Sequence, residues 1–589
     1  MVLVPRSRWL FPATVAVPPT LLDAGRDLNL GPRVVGLLVA RGVTLEDDLR
    51  RFMGDPAAGL HDPSRLPDAG VFRDRVLKAR DNREGILVFG DFDADGITGL
   101  AILTLALRRL GVEVLPYVPS RLDEGHGLSL AAVEAARAAG ARVIVTVDTG
   151  SSSVAEVAAA NDAGIDVLIT DHHRVPPELP KALAIVNPHR ADATYPEQRL
   201  SGSGVAFTLA RLLLGDAALN LADLAAIGTV ADLAPVLGEN RAIVQLGLEL
   251  LRAGPRPGLV ALLSAARVDP AGADLEDIAF AIAPRLNAAG RVGEAFDAAR
   301  LLLSEDADEA AGLAATLEAA NGTRKDLMRT AVAEARTSPD AVDDAAAVVV
   351  RGPWPVGIVG LVASRLAEER LRPAVVGAEL GAVVRASCRS AGGFHLADAL
   401  AACSDILLRH GGHAGAAGFE IATERWLEFR ERFLAIAAAA GAPDPVPTIS
   451  VDVALRARDV DYALHRDLQR LAPCGTGNPE PLVAILGLTV IRAREAGGGG
   501  HSQLVLKRRL DVLDGIAFGW PELAREVCEG DVIDIVAQLR SRRFGGIESL
   551  QLDIRDAAPS GYHAEARAIL EAPLVAVGPG PAVGSASAG

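Results

Sequence analysis

The sequence predicts an α/β protein: a parallel-sheet domain joined by a long helix to a smaller α/β domain, and then a β-barrel. Apolar, β-branched runs at 86–90, 143–147 and 165–170 alternate with alanine-rich helical segments as far as about Leu303. This alternation is typical of a parallel sheet. A second such run opens at 345–350, and short alternating segments follow at 504–506, 532–536 and 550–554. The last three favour a small antiparallel barrel.

We predict six segments in chain order. They are a helical lead-in at 1–55, the first α/β domain at 56–306, a connecting helix at 307–339, the second α/β domain at 340–443, the barrel at 446–560 and a disordered tail at 561–589. Alanine, leucine and alternating charges at 308–336 favour a solvated helix, which Ser338-Pro339-Asp340 ends. Residues 441–445 read as a linker, and the final residues are rich in glycine, alanine and serine.

Composition narrows the function classes. The 589 residues include only four cysteines and no C-x-x-C pair, which favours a reducing cytoplasm over a disulfide or zinc-thiolate scaffold. No signal peptide and no uninterrupted membrane-spanning apolar stretch is expected. The net charge of -16 argues against a generic nucleic-acid binder, although it does not describe a local groove.

Acidic residues follow each of the three apolar runs. Asp91, Asp93 and Asp95 follow the first, Asp148 the second, and Asp171-His172-His173 the third. Ligands gather at the carboxyl ends of parallel strands, and crowded carboxylates repel unless a cation lies between them. An EF-hand would need Glu at the twelfth position from Asp91, where Ile102 stands. We therefore predict a metal site, with Asp232 after the run at 227–231 as a further ligand.

Oxygen ligands with one or two imidazoles suit Mn²⁺ or Mg²⁺ better than zinc. Two such ions that share a carboxylate can acidify a water and offset the charge of a phosphorane, which is a means of hydrolysing phosphate esters.

The motifs identify a family. The chain resembles the DHH phosphoesterase superfamily and, within it, the RecJ family of bacterial single-strand-specific 5′-to-3′ DNA exonucleases. The resemblance runs from about residue 30 to 557. It rests on the blocks at 90–96, 146–150, 171–173, 228–232, 238–241 and 284–291, on the DHHA1-like blocks at 357–360, 389–390 and 411–418, and on 475–481 ahead of an OB-fold-like region.

The resemblance implies residue roles. Asp91, Asp93 and Asp148 would face one Mn²⁺ or Mg²⁺ ion, and Asp95, Asp148, His172 and Asp232 the other. Asp171 would support the ligands, and His173 would face the substrate. Arg389 and Ser390 would hold the terminal 5′-phosphate with Arg121 and Arg291. Arg285 and Asn287 would also contact substrate, and His413 would lie near the scissile phosphate. One departure is Pro355, where the family usually has His.

The resemblance also implies partners: single-stranded DNA with a 5′ end, a single-stranded-DNA-binding protein and a helicase, with the protein itself a monomer. Basic residues at 507–509 and 540–543, with Phe544, could bind single strands, or could be ordinary exposed turns. Two alternatives stay open. One is a DHH phosphodiesterase for short oligonucleotides or cyclic dinucleotides, and the other is a non-catalytic replication scaffold.

Overall fold

The computed structural model describes residues 3–12, 16–121, 124–340, 345–441, 446–508, 511–544 and 547–571. The chain forms two compact units. Met1–Gly59, Val446–Cys474 and Asn478–Gly589 make the first, and Leu60–Pro445 with Gly475–Gly477 make the second. The domain boundaries given above stay predictions.

The N-terminal segment is mainly helical. Its elements are β1 (Arg8–Leu10), α1 (Pro19–Asp27), α2 (Pro32–Ala40) and α3 (Glu46–Met53). The apolar side chains of these helices are buried, including Leu21, Leu38 and Leu49.

The first α/β domain is built on the predicted parallel sheet. It opens with α4 (Ala69–Asn82), β2 (Ile86–Gly90), α5 (Ala94–Arg109), β3 (Val114–Tyr117), α6 (Leu130–Ala138), β4 (Val143–Val147), α7 (Val154–Asp162), β5 (Asp166–Thr170) and β6 (Ala184–Val186). The strand order is β3-β2-β4-β5-β6, and all pairs are parallel. Gly90 pairs with Val147 and Val147 with Thr170, so β2, β4 and β5 end level with one another.

The alternation expected as far as Leu303 ends at Val186, and this part of the prediction is wrong. Helices follow: α8 (Gly202–Leu214), α9 (Ala222–Ala231), α10 (Gly238–Ala253), α11 (Pro257–Ala266), α12 (Leu275–Asp277), a π-helical turn (Ile278–Ile282), α13 (Ala283–Val292) and α14 (Ala295–Leu303). A continuous apolar run does not distinguish a buried strand from a buried helix. The alanine and leucine content of this region favours helix.

One helical stretch among the described residues, 202–231, is long and apolar enough to be a candidate membrane span, contrary to expectation. It consists of two helices, α8 and α9, separated by a 3-10 segment (Gly215–Leu221). Both helices bury their apolar side chains in the core of the domain, which explains their composition.

The long connecting helix is confirmed as α15 (Ala307–Thr337), and Asp306 caps its N-terminus. It is not solvated along its length. Leu313 and Leu317 lie in the core of the first α/β domain, whereas Ala331 and Ala335 lie in a core of the second.

The second α/β domain has a mixed sheet. Its elements are β7 (Val348–Gly352), α16 (Val356–Arg370), β8 (Ala374–Leu380), β9 (Val383–Arg389), α17 (Leu396–Ala401), β10 (Arg409–Gly412), β11 (Ala416–Ala422) and α18 (Trp426–Ala439). The order is β10-β11-β9-β8-β7, in which only β7 and β8 are parallel. Of the predicted linker, residues 442–445 lie outside the described residues.

The barrel is confirmed. Its elements are β12 (Thr448–Ser450), β13 (Val453–Arg456), α19 (Tyr462–Gln469), β14 (Val483–Ala496), β15 (His501–Arg508), β16 (Asp511–Phe518), α20 (Leu523–Glu526), β17 (Val532–Phe544), β18 (Ile547–Pro559) and α21 (Ala564–Glu571). Strands β14-β15-β16-β18-β17 close on themselves through the pairing of β17 with β14. The barrel is not wholly antiparallel, because β16 pairs with β18 in parallel.

The N-terminal segment and the barrel form one body. Leu21, Leu38 and Leu49 share a hydrophobic core with barrel residues such as Ile485 and Leu552. β1 also pairs in parallel with β12. Within the predicted tail, residues 564–571 form α21, in which Ala566 is buried. Residues 572–589 lie outside the described residues, and the disordered tail stays a prediction.

Candidate metal centre and anion-binding residues

The aspartates that follow β2, β4 and β5 meet at one edge of the parallel sheet, as the level strand ends require. Their ligand atoms lie within 4.8 Å of one another in three groups: Asp91, Asp93 and Asp148; Asp95, His172 and Asp232; and Asp148, His172 and His173. His172 Nε2 is 2.9 Å from Asp148 Oδ1, and His172 Nδ1 is 3.8 Å from Asp232 Oδ2. Every predicted ligand therefore lies in the cluster.

The local backbone orients two of the aspartates, Asp93 and Asp148. Asp93 is the N-cap of α5, and its Oδ1 accepts hydrogen bonds from the backbone N–H groups of Asp95 and Gly96 at 3.0 and 3.1 Å. Asp148 has a φ of 61°, a left-handed conformation that costs a non-glycine residue conformational energy. The surrounding structure thus holds the Asp148 carboxylate in an orientation that the residue would not choose by itself.

Helix α8 holds Asp95. The backbone N–H groups of Gly202 and Ser203 donate to Asp95 Oδ2 and Oδ1 at 2.7 and 2.9 Å. A Cβ on Gly202 would lie 2.5 Å from Asp148 Cβ, and a Cβ on Gly228 would lie 2.5 Å from Asp95 Oδ1. The two glycines therefore let α8 and α9 approach the carboxylates closely.

The cluster carries more negative charge than the fold can compensate. Burial, followed by the charges of Asp91 and Asp95, raises the pKa of Asp93 to about 6. Burial and Asp95 raise the pKa of Asp232 to about 7, and burial with Asp95 raises the pKa of Asp148 well above its usual value.

Three buried ligand atoms make no hydrogen bond of normal geometry among the described residues: Asp91 Oδ1, Asp148 Oδ1 and His172 Nε2, of which the last two lie 2.9 Å from each other. Buried polar atoms almost always have a hydrogen-bond partner. Carboxylate oxygens and an imidazole nitrogen that lack one and face one another are therefore suited to bind divalent cations. The donor set suits Mn²⁺ or Mg²⁺.

Asp171 orients the neighbouring histidines. Its Oδ1 accepts from the backbone N–H groups of His172 and His173 and contacts His173 Nδ1 at 2.8 Å, while Ser151 N–H donates to Oδ2. Burial opposes ionisation of Asp171, but these hydrogen bonds hold its pKa below the usual range. The same contact raises the pKa of His173 to about 9. The pair fixes the His173 ring at the edge of the cluster.

Three predicted phosphate-binding arginines, Arg121, Arg291 and Arg389, lie close together and are called the arginine cluster below. Burial and then the charge of Arg121, with a smaller contribution from Arg389, lower the pKa of Arg291 to about 10. Burial also lowers the pKa of Arg389, again with a contribution from Arg121. Arg121 stacks over Phe92 at 4.7 Å, and Arg121 and Arg291 line a cleft of ≈ 710 Å³. Such a concentration of positive charge suits a phosphate.

Two predicted substrate contacts have partners within the protein. Arg285 is buried, and it donates to Glu318 Oε2 at 2.5 Å and to the Ala281 carbonyl at 2.7 Å. Asn287 Oδ1 accepts from the backbone N–H of Ala94 at 2.8 Å. These contacts tie α13 to α15 and to the loop that carries the metal-site aspartates, and the substrate roles of both residues stay predictions.

The remaining predicted residues lie in the second α/β domain and the barrel. Ser390 Oγ donates to the Phe394 carbonyl, and His413 is exposed in the turn between β10 and β11. Pro355 precedes α16 and supplies no imidazole. In the barrel, Arg540 pairs with Glu480 at 2.7 Å, while Arg509 and the side chains of residues 508, 543 and 544 lie outside the described part of the chain.

One site residue was missed from the sequence. His126 Nδ1 lies 3.1 Å from Asp91 Oδ2, and its ring is 4.4 Å from that of Phe92. Its position between Gly125 and Gly127 was the available signal, since a histidine in a glycine-flanked loop can approach a neighbouring strand end.

Three family models and several known proteins match the sequence of this chain. The DHH family N-terminal domain matches residues 85–229, the DHHA1 domain 343–439 and the RecJ OB domain 451–556. The single-stranded-DNA-specific exonuclease RecJ of Bacillus subtilis (strain 168) is 37% identical over 541 residues, which cover 91% of this chain and 69% of that protein.

Two solved structures are similar over nearly the whole chain. The crystal structure of RecJ in complex with Mn²⁺ from Thermus thermophilus has a TM-score of 0.79 at 31% identity and covers 94% of this chain and 79% of that one. The complex of the same protein with Mg²⁺ has a TM-score of 0.74 at 30% identity, with 94% and 78% covered. At 31% and 30% sequence identity, these similarities indicate common family membership as well as a shared fold.

Proposed function

The chain belongs to the RecJ family of DHH phosphoesterases, and from this premise we propose that it is a single-stranded-DNA-specific exonuclease that uses divalent metal ions. The observation that carries the proposal is the cluster of carboxylates and imidazole at the ends of β2, β4 and β5, with its orphaned buried ligand atoms. A non-catalytic scaffold has no need of such a cluster.

We assign Asp91, Asp93 and Asp148 to one ion and Asp95, Asp148, His172 and Asp232 to the other. The assignment starts from two of the groups of ligand atoms, Asp91, Asp93 and Asp148, and Asp95, His172 and Asp232. Asp148 is added to the second group because its Oδ1 lies 2.9 Å from His172 Nε2, and it is thereby the shared carboxylate. Bound there, Mn²⁺ or Mg²⁺ would supply an acidified water and charge neutralisation at the phosphorus.

The protein's own groups hold this site in position. The N–H groups of Gly202 and Ser203 keep Asp95 turned toward the cluster, and Asn287 anchors the start of α5 through Ala94. We therefore assign Asn287 a positioning role. Asp171 engages His173 Nδ1, so the His173 ring can present Nε2 to a phosphate oxygen or to the leaving oxygen.

The 5′-to-3′ polarity rests on the arginine cluster. Arg291 NH1 donates to the Gly357 carbonyl at 2.9 Å, which links the end of α13 to α16. The cluster therefore spans both α/β domains next to the metal centre. A terminal 5′-phosphate held there would place the first internucleotide linkage toward the carboxylates. Ser390 would have to exchange its contact with Phe394 for the phosphate.

We propose the barrel as the surface that holds the rest of the strand, since OB folds bind single strands by stacking and backbone attraction. We also propose a cytoplasmic monomer that acts in DNA repair and recombination with a single-stranded-DNA-binding protein and a helicase. Family membership is the support for these points.

The direct test is digestion of 5′-phosphorylated single-stranded DNA with Mn²⁺, with products resolved by chromatography. Mononucleotides released from the 5′ end are expected, with little digestion of the same sequence as a blunt duplex. Release from the 3′ end, or activity confined to dinucleotides, would contradict the proposal. The second outcome would favour the small-substrate phosphodiesterase.

A further inference from the structure

Asp91 differs from two neighbouring carboxylates of the metal centre in what holds it. Asp93 and Asp95 each accept two hydrogen bonds from backbone N–H groups. The Asp91 side chain is 6% exposed, and its Oδ1 is buried without a hydrogen bond among the described residues. Its Oδ2 lies 3.1 Å from Nδ1 of His126. The orientation of this carboxylate therefore depends on a side chain from another segment of the chain.

The contact between His126 and Asp91 has a defined direction. An ionised carboxylate can only accept hydrogen bonds, so Nδ1 of His126 carries the proton and donates to Oδ2. The lone pairs of Oδ1 stay free for a metal ion. Hydrogen-bond partners of this kind fix the orientation of a metal-binding carboxylate and influence the affinity for the metal.

His126 packs against a buried ring, although its own side chain is 69% exposed. Its imidazole lies 4.4 Å from the ring of Phe92, which is buried between the ligands Asp91 and Asp93. The residues on either side, Gly125 and Gly127, have φ angles of 79° and 97°, which glycine adopts without steric cost. The chain can therefore turn tightly enough at both positions to bring one ring against Phe92 and Asp91 together.

The loop that carries His126 is fastened at both of its ends by Glu124. Oε1 of Glu124 accepts from the backbone N–H of Ser120 at 2.8 Å. Its Oε2 accepts from the hydroxyl groups of Tyr117, at 3.0 Å, and Ser129. Tyr117 ends β3 and Ser129 precedes α6, so the loop is held between two elements of the domain. His126 is thus presented to the metal centre by a preorganised segment.

We propose that His126 is a positioning residue of the metal centre, and that its hydrogen bond holds Asp91 in the orientation that binds an ion together with Asp93 and Asp148. The proposal rests on the metal assignment of the proposed function, and it does not depend on which nucleic acid is hydrolysed. It adds the loop after β3 to a site that is otherwise built from the ends of β2, β4, β5 and α9.

The test is titration of the metal-free, full-length protein with Mn²⁺, followed by isothermal titration calorimetry, so that metal affinity is measured without any substrate. Loss of a hydrogen-bond partner of a metal ligand typically weakens metal binding by about ten- to a hundredfold. Because exposed contacts contribute less than buried ones, His126→Ala should weaken Mn²⁺ binding by about tenfold, the lower end of that range.

Two further substitutions separate the hydrogen bond from the ring contact. His126→Asn keeps an N–H donor near the position of Nδ1 but removes the ring from Phe92, and it should bind Mn²⁺ within about threefold of wild type. His126→Phe keeps a ring on Phe92 without the donor, and it should lose as much affinity as His126→Ala. His395→Ala is the matched control, because His395 is 52% exposed and its Nδ1 lies 3.0 Å from Oδ2 of Asp398 in the second α/β domain. It should bind Mn²⁺ as wild type does.

Three results would each overturn the proposal: unchanged affinity in His126→Ala, an affinity that His126→Phe retains and His126→Asn loses, or the same loss in His395→Ala. Thermal unfolding in a chelator should be the same for His126→Ala and wild type, and a loss of stability there would replace the positioning role by a structural one. Failure of the proposed function is a separate result, since it would appear as a wild-type protein that binds Mn²⁺ but does not digest single strands.

Discussion

Replacing Asp93 by asparagine should stabilise the metal-free protein while it removes activity. Asparagine keeps the Oδ1 acceptor that caps Asp95 and Gly96 N–H but loses the charge. Burial, then Asp91 and Asp95, raise the pKa of Asp93 from 3.8 to about 6. At about 1.36 kcal/mol per pKa unit, ionised Asp93 costs the folded state up to about 3 kcal/mol. Partial solvent contact reduces this, so about 1–3 kcal/mol is expected for Asp93→Asn at pH 8.

The sign of the pH dependence follows from the raised pKa. The folded state binds more protons than the unfolded state between about pH 4 and pH 6, so the free energy of unfolding falls as the pH rises through that window. Above it, the penalty is complete. The advantage of Asp93→Asn should therefore be full at pH 8, about half as large at pH 5, and about a fifth of the full value at pH 4.

The assay is denaturant unfolding in a chelator at pH 8 and pH 5, followed by the same series with Mn²⁺. Saturating metal should reverse the order, because a ligand at 100 times its Kd adds about 2.7 kcal/mol to a protein that binds it. Asp74→Asn, at an exposed carboxylate on α4, should show neither effect. An Asp93→Asn protein that is no more stable than wild type in chelator, or that gains as much from Mn²⁺, would refute the assignment of Asp93 as a ligand under electrostatic strain.

Three further substitutions test the site. Asp148→Ala should abolish hydrolysis while circular dichroism shows an intact fold, because the shared carboxylate positions both ions; near-wild-type turnover in Mn²⁺ would make the two-metal assignment wrong. Gly202→Ala should lower kcat at least tenfold, because its Cβ would lie 2.5 Å from Asp148 Cβ. Gly204→Ala is the control: its Cβ would lie 3.4 Å from Leu200, and its kcat should stay within a few-fold of wild type. Similar kinetics for the two variants would argue against the close approach of α8 to Asp148. Arg389→Ala should reduce kcat/KM on 5′-phosphorylated strands by about ten- to a hundredfold, and an equal loss on 5′-hydroxyl strands would leave Arg389 a general backbone contact.

The sequence by itself determined the parallel sheet and the edge at which the metal ligands lie. Strand periodicity is a local property, and the residue that follows a parallel strand is placed by the strand itself. Asp91, Asp148 and Asp171 can thus be placed at one edge of the sheet from the sequence alone. The register of β2, β4 and β5 agrees with this expectation. The barrel could be predicted in the same way, from short alternating segments.

Tertiary structure decided what depends on contacts between distant parts of the chain. Apolar runs after residue 202 could be strands or helices by their hydrophobic pattern, and in the fold they are helices that pack in the core of the first α/β domain. The N-terminal helices pack against the barrel because Leu21 and Leu38 bury their side chains in a core shared with barrel residues, which lie more than 400 residues away in sequence. The parallel pairing of β16 with β18 likewise depends on barrel closure.

The same distinction applies within the site. The sequence identifies the ligands, but contacts with distant segments orient them. Gly202 and Ser203 hold Asp95, and Asn287 holds Ala94. For Arg324 the sequence alone is misleading, because a charged residue on a helix is expected to be solvated. Arg324 is partly buried where α15 packs against α13, because burial is a property of the assembled fold and has no local pattern.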